Sequence, residues 1–163
     1  MATIKDFLKD QLNERRKNSF MLKSPADVNN LISDFMKFNP FHNEWIKKGA
    51  DTNMVDSVEV LGKFLSPYKK DDKDALTNSQ IRNVFGEIKR IQMGGFEGNK
   101  PSFYILKPKV AYAAGRHNKL GILTFKKYFD LAVSQVENEN DYANFCNFLE
   151  SIVAYHKAYG GKD

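Results

Sequence analysis

The 163 residues suit one domain with a single core, and 42% hydrophobic against 28% charged residues is ordinary globular composition. Thirteen Phe and seven Tyr argue against disorder, a lone cysteine excludes an internal disulfide, and no apolar run approaches the roughly 20 residues of a membrane span. The net charge of +5 is not spread evenly: residues 78–127 hold ten basic side chains and two acidic ones, which leaves the rest of the chain at −3.

Ile4, Phe7, Leu8 and Leu12 stand at three-to-four spacing and predict a first helix over 4–16. The next helix has a written start, with Ser24 as N-cap, Pro25 at the first position and Asp27 in the first turn. Its apolar face is Val28, Leu31, Ile32, Phe35 and Met36, and Phe38-Asn39-Pro40 ends it. A short element over 42–48 and a helix over 54–65 follow. Residues 66–75, with Pro67 and the charged run from Lys69 to Asp74, read as an exposed linker.

Thr77 then caps a helix, with Gln80 three residues on reaching back to the cap's amide in a capping box. Ile81, Val84, Phe85, Ile88 and Ile91 form its apolar stripe, and Gly94-Gly95 stops it. Arg82 and Lys89 lie seven residues apart, about two turns along one flank. The glycine-rich 93–98 lacks the Lys-Ser/Thr ending of a P-loop and reads as a helix stop with a flexible connector.

A helix over 102–116 has a narrow core face of Leu106, Val110, Ala113 and Ala114, with Lys109, Tyr112 and Arg116 on another face. Pro108 either kinks this helix or begins it. A helix over 124–138 turns Phe125, Phe129, Ala132, Val133 and Val136 inward. The last helix, over 140–159, ends at Gly160-Gly161 and has two apolar stripes, so it is either central to the bundle or partly offered to a partner. The expected fold is all-α: a compact bundle of about five core helices with an extended helical N-terminal region, in one domain over 1–163.

The basic window consists of Arg82, Lys89, Arg90, Lys100, Lys107, Lys109, Arg116, Lys119, Lys126 and Lys127, opposed by Glu87 and Glu97. Concentrated positive charge marks a polyanion site, because each phosphate neutralised releases condensed counterions. Tyr112 between Lys109 and Arg116 suits a groove that tracks a nucleic-acid backbone with some stacking. No catalytic constellation stands beside it. His42, His117 and His156 fall in separate segments without metal-ligand spacing, and neither a metal nor a cofactor is expected. His117 is either a helix C-terminal residue set in the macrodipole or a proton-transfer residue of an RNA-cleaving site. Cys146 lies on a core stripe.

Three segments together carry a resemblance: Leu76-Thr77-Asn78-Ser79-Gln80-Ile81-Arg82-Asn83, then Pro108-Lys109-Val110-Ala111-Tyr112-Ala113-Ala114-Gly115-Arg116, and residues 150–163, ESIVAYHKAYGGKD. Their order and spacing over 75–163 resemble the small subunit of type III-A CRISPR effector complexes, the Csm small-subunit family; residues 1–74 lie outside those motifs as an N-terminal extension or part of the same bundle. The resemblance implies a non-catalytic, all-helical subunit; the lack of an apolar span and the single cysteine add the expectation of a cytoplasmic protein without membrane contact. It implies partners: guide RNA and target RNA, the backbone ribonuclease subunit, the large polymerase-like subunit and neighbouring copies of itself. Arg82 and Arg116 belong to the matching motifs and are the first RNA-contact candidates. Lys89, Arg90, Lys107, Lys109 and Lys119 follow from charge and helical phase. An alternative is a helical DNA-binding regulator with residues 80–92 as its recognition helix, against which the charged linker before Thr77 counts.

Overall fold

The computed structural model describes residues 10, 14 and 24–161, so the helix expected over 4–16 and the terminal Lys162 and Asp163 lie outside the described residues. Among those described there are seven α-helices and no strand: α1 (Pro25–Phe38), α2 (Glu44–Lys47), α3 (Thr52–Leu65), α4 (Asn78–Gly94), α5 (Lys100–His117), α6 (Leu120–Val133) and α7 (Glu139–Ala158). A 3₁₀ turn, Glu97–Asn99, joins α4 to α5.

Side-chain caps start most of these helices. Ser24, Asp51 and Asn138 accept the backbone N–H three residues on at 3.2, 2.7 and 2.8 Å, opening α1, α3 and α7. The capping box of α4 is complete, with Gln80 N donating to Thr77 Oγ1 and Thr77 N donating to Gln80 Oε1. The α1 terminus is welded rather than frayed. Buried Asn39 donates to Ser57 O at 3.0 Å, accepts from Ser57 Oγ at 2.7 Å, and offers its carbonyl to the Tyr128 hydroxyl.

The last helix takes the central position of the two that its stripes allow. Helix α7 packs most extensively on α3 and also touches α2, α4 and α6, while α4 pairs with α5, α5 with α6, and α1 lies against α6. Phe145, Cys146, Phe148, Leu149 and Ile152 are all buried, and the Tyr142 hydroxyl reaches Ile88 O on α4 at 2.8 Å. Leu31, Trp45 and Phe64 share one buried cluster with Ile88, Phe103 and Phe145, so α1–α3 and the later helices enclose a common core.

Three local expectations change. Of the two readings of Pro108, the helix start is excluded: Pro101 occupies the first turn of α5 and Pro108 sits inside the helix, on its exposed side. Its missing N–H leaves the carbonyl of exposed Tyr104 to water. The glycine-rich connector is held, not loose. Glu139 accepts from Phe96 N at 2.8 Å and Glu97 N at 3.2 Å, and buried Phe96 stacks on Tyr142.

The segment 66–76 is a strap, exposed at Lys69–Asp71 but buried at both ends through Ser66, Ala75 and Leu76. Gly121 N donates to Asp74 O at 2.8 Å, and a Cβ at Gly121 would collide with the backbone of Leu76 and Asp74. From the other side His156 Nε2 donates to Leu76 O at 2.6 Å. Ser66 Oγ lies 2.6 Å from Gly62 O and 3.0 Å from His156 O. Beyond α7, Gly160 at φ +96 turns the chain so that Gly161 N meets His156 O at 2.8 Å. Gly161 then lies against the imidazole, where any side chain would overlap it.

Candidate nucleic-acid interface

Helix α4 distributes the charge because its buried stripe (Ile81, Val84, Ile88, Ile91) leaves two polar flanks. The flank toward α7 carries Arg82 and Lys89. Lys89 Nζ is bound by Glu150 of α7 at 2.5 Å, and Arg82 lines a shallow depression of about 260 Å³ with Phe85 and Val153. The flank toward α5 carries Ser79, Asn83, Glu87 and Arg90. Arg90 is tied to Glu87 at 2.9 Å and to Ser102 Oγ of α5 at 2.8 Å.

Helix α5 buries Phe103, Leu106, Val110 and Ala114 and turns Lys109, Tyr112 and Arg116 toward α4. Between the two helices lies a groove of about 520 Å³. Ser79, Asn83 and Glu87 form one wall, Lys109, Tyr112 and Arg116 the other, with Val84 and Ala113 also contributing. The Glu87 carboxyl is held below its usual range, chiefly by its hydrogen bond from Arg90 and further by the charge of Lys109. Lys107 stands about 200° around the helix from Lys109 and projects away from the groove. Lys119 is exposed at the N-cap of α6, just past Asn118, whose φ of 49 ends α5 in a left-handed turn.

Seven sequence candidates therefore do not form one face. Lys109 and Arg116 share the groove with Tyr112; Arg90 lies on the same side of α4, bound to Glu87 and Ser102; Arg82 and Lys89 lie on the opposite flank of α4; Lys107 and Lys119 stand apart. Ion pairing divides the window again. Lys89, Arg90, Lys100 and Lys126 are bound to Glu150, Glu87, Glu97 and Asp130 respectively, within 3.0 Å. Arg82, Lys107, Lys109, Arg116, Lys119 and Lys127 have no ion pair among the described residues. Sequence reading missed the α4 wall. Its signal was present in the four-residue steps Ser79, Asn83, Glu87, which put three polar groups on one side of the helix. It also missed an open groove of about 590 Å³ where Lys127 of α6 faces Asn29, Ser33 and Lys37 of α1.

The reactive candidates go elsewhere. His156 is buried and committed to Leu76, and burial holds its pKa below the usual imidazole value, with the Leu76 hydrogen bond opposing. His117 is the last residue of α5, exposed at the lip of the groove. Cys146 is buried, its thiol pushed up to about 11 by burial. Among the described residues no cluster of three His, Cys, Asp or Glu is placed to hold a metal, and no helix is long and apolar enough to cross a membrane. The DNA-regulator reading meets a geometric obstacle: the strap separates α3 from α4, where a recognition helix follows its partner after a short turn.

Comparison with known proteins agrees with the motifs. The chain matches the model of the family Csm2 Type III-A over residues 48–162, so the match begins well before residue 75 and includes all of α3. The protein named CRISPR system Cms protein Csm2 from Streptococcus thermophilus is 31% identical over 120 residues, covering 70% of this chain and 97% of that relative. No solved structure matches. With the family pattern running from just past α2 to residue 162 and the relative matched along almost its whole length, the chain belongs to the Csm2 small-subunit family of type III-A CRISPR systems.

Proposed function

We propose that this protein is a non-catalytic, RNA-gripping subunit of the type III-A effector complex. It holds guide RNA paired to target RNA, mainly along the target-strand backbone, while packing beside the backbone ribonuclease subunit, the large polymerase-like subunit and further copies of itself. One observation carries the reading: Lys109 and Arg116 flank Tyr112 on a groove wall, and neither cation has an ion partner among the described residues. Cations already neutralised within the fold contribute less to a polyanion, because a phosphate must first displace a carboxylate. Arg116 and Lys109 thus rank first, with Arg82, Lys107 and Lys119 behind them, and Lys89 and Arg90 last. Base pairing between guide and target selects sequence, so the protein needs grip on phosphate and sugar rather than base-discriminating contacts along the duplex.

The test is RNA binding by the full chain across a salt series. Arg116→Ala and Lys109→Ala are each expected to lower the slope of log affinity against log salt by about 1, whereas Lys89→Ala leaves it nearly unchanged. Affinity indifferent to salt, or equal slopes in all four proteins, would count against the proposal.

A further inference from the structure

Lys109 and Arg116 account for phosphate, but the rest of the same groove does not. Tyr112 is 70% exposed between the two cations, an aromatic ring left uncovered on an outward-facing helix. The facing wall carries Glu87, whose carboxylate repels phosphate and is kept ionised by the Arg90 guanidinium at 2.9 Å, with the charge of Lys109 adding to that. Arg90 Nε and Nη2 both approach Oε2, and among the described residues no donor reaches Oε1. Asn83, one turn before Glu87, adds an amide that both donates and accepts. A volume of about 520 Å³ falls within the roughly 300–1,000 Å³ range of small-molecule sites.

An aromatic platform, a flanking pair of cations and a facing hydrogen-bond acceptor are what an unstacked nucleotide requires: a surface for the base, charge for its two phosphates, and a partner for its edge. Resting on the RNA-binding reading above, we infer that the α4–α5 groove takes one unpaired nucleobase of single-stranded RNA. The base lies on Tyr112 with its Watson–Crick edge toward Glu87, and Lys109 and Arg116 hold the phosphates on either side. The carboxylate sets a preference. Guanine presents two adjacent donors, N1–H and the N2 amine, and matches a carboxylate in parallel. Uracil presents a single N3–H between two carbonyl oxygens, which the carboxylate repels.

The probe is a short single-stranded oligouridylate whose central position is guanosine, uridine or abasic, titrated with the full chain and followed by fluorescence anisotropy. The guanosine oligomer is expected to bind about tenfold more tightly than the abasic one, a difference lost in Tyr112→Ala and retained in Tyr112→Trp. Because Tyr112 is exposed, its removal spares the core, and the salt slope of Tyr112→Ala stays that of the unsubstituted chain. Glu87→Gln is expected to bring guanosine and uridine to equal affinity. Equal binding of the guanosine and abasic oligomers, or a base dependence that survives Tyr112→Ala, overturns the base site while an Arg116-dependent salt slope leaves the phosphate reading standing. A guanine preference that persists in Glu87→Gln overturns the role given to Glu87. Failure of the unsubstituted chain to bind any of the three at low salt overturns the RNA-binding reading, and the inference with it.

Discussion

His156 shows how one side chain organises the terminal motif. Its Nε2–H is spent on Leu76 O and its carbonyl meets both Ser66 Oγ and Gly161 N, so the ring closes the strap, α3 and the C-terminal turn onto one another. A buried imidazole among carbonyls and glycine favours the neutral form; Lys157, next in sequence, adds to that, while the bond to Leu76 O works the other way. The folded pKa lies below 6.5, the value expected in the unfolded chain, so the unfolded chain binds the proton first. The stability associated with neutral His156 is therefore complete above about pH 6.5 and is lost as pH falls from there toward the lower folded value. Thermal unfolding between pH 7 and pH 5 is expected to show a steeper fall in Tm for the unsubstituted chain than for His156→Gln, by a few °C. The glutamine amide keeps a donor but no titration, and carboxylates common to both proteins cancel in the difference. Parallel Tm curves would refute this assignment.

At the scale of elements, the helices were legible because caps and periodicity agree. Ser24-Pro25, the Thr77/Gln80 box and the Ile81–Ile91 stripe each name a boundary or a face, and the structure repeats them. What sequence left open depends on neighbours it does not name. Nothing in the charged run from Lys69 to Asp74 reveals that Ala75 and Leu76 pass beneath Gly121, or that Glu139 reaches across to fix the connector at Phe96. The site was legible in half: Lys109, Tyr112 and Arg116 follow from spacing on one helix, but the facing wall requires knowing that α4 and α5 lie side by side. Helical phase places a residue on its own helix and not relative to another, so the motifs that named Arg82 and Arg116 did not reveal that Arg82 stands on the α7 flank of α4 while Arg116 lines the α4–α5 groove. Two helical glycines separate packing from propensity. Gly121→Ala pushes a methyl into the strap's backbone, which cannot rotate away, and is expected to cost on the order of 1–3 kcal/mol. Gly86→Ala in α4 meets no atom within 4 Å and is expected to stabilise by about 0.5–1 kcal/mol. Chemical denaturation of the two variants checks both signs.

Across the described residues, the family match from residue 48 to 162 and the position of α1 against α6 make α1 an addition to the family pattern that still buries Leu31, Ile32 and Phe35. The dependence on the other terminus is greater. Because α7 touches α2, α3, α4 and α6, a chain ending at Val153 loses the His156 lock and the final turns of its central helix. It is expected to show no cooperative thermal transition by circular dichroism, whereas a cooperative transition near that of the full chain would contradict the central role of α7. The strap adds an order of events. Leu76 is fastened by a residue 80 positions later, and the largest interface, between α3 and α7, joins segments whose centres lie farther apart still. As the chain leaves the ribosome, α3 through α6 emerge before α7, able to close on one another but with the surfaces that α7 covers still exposed. Only when α7 docks does the core become complete, so the protein's vulnerability to proteases and to aggregation is concentrated in the interval before that helix is in place.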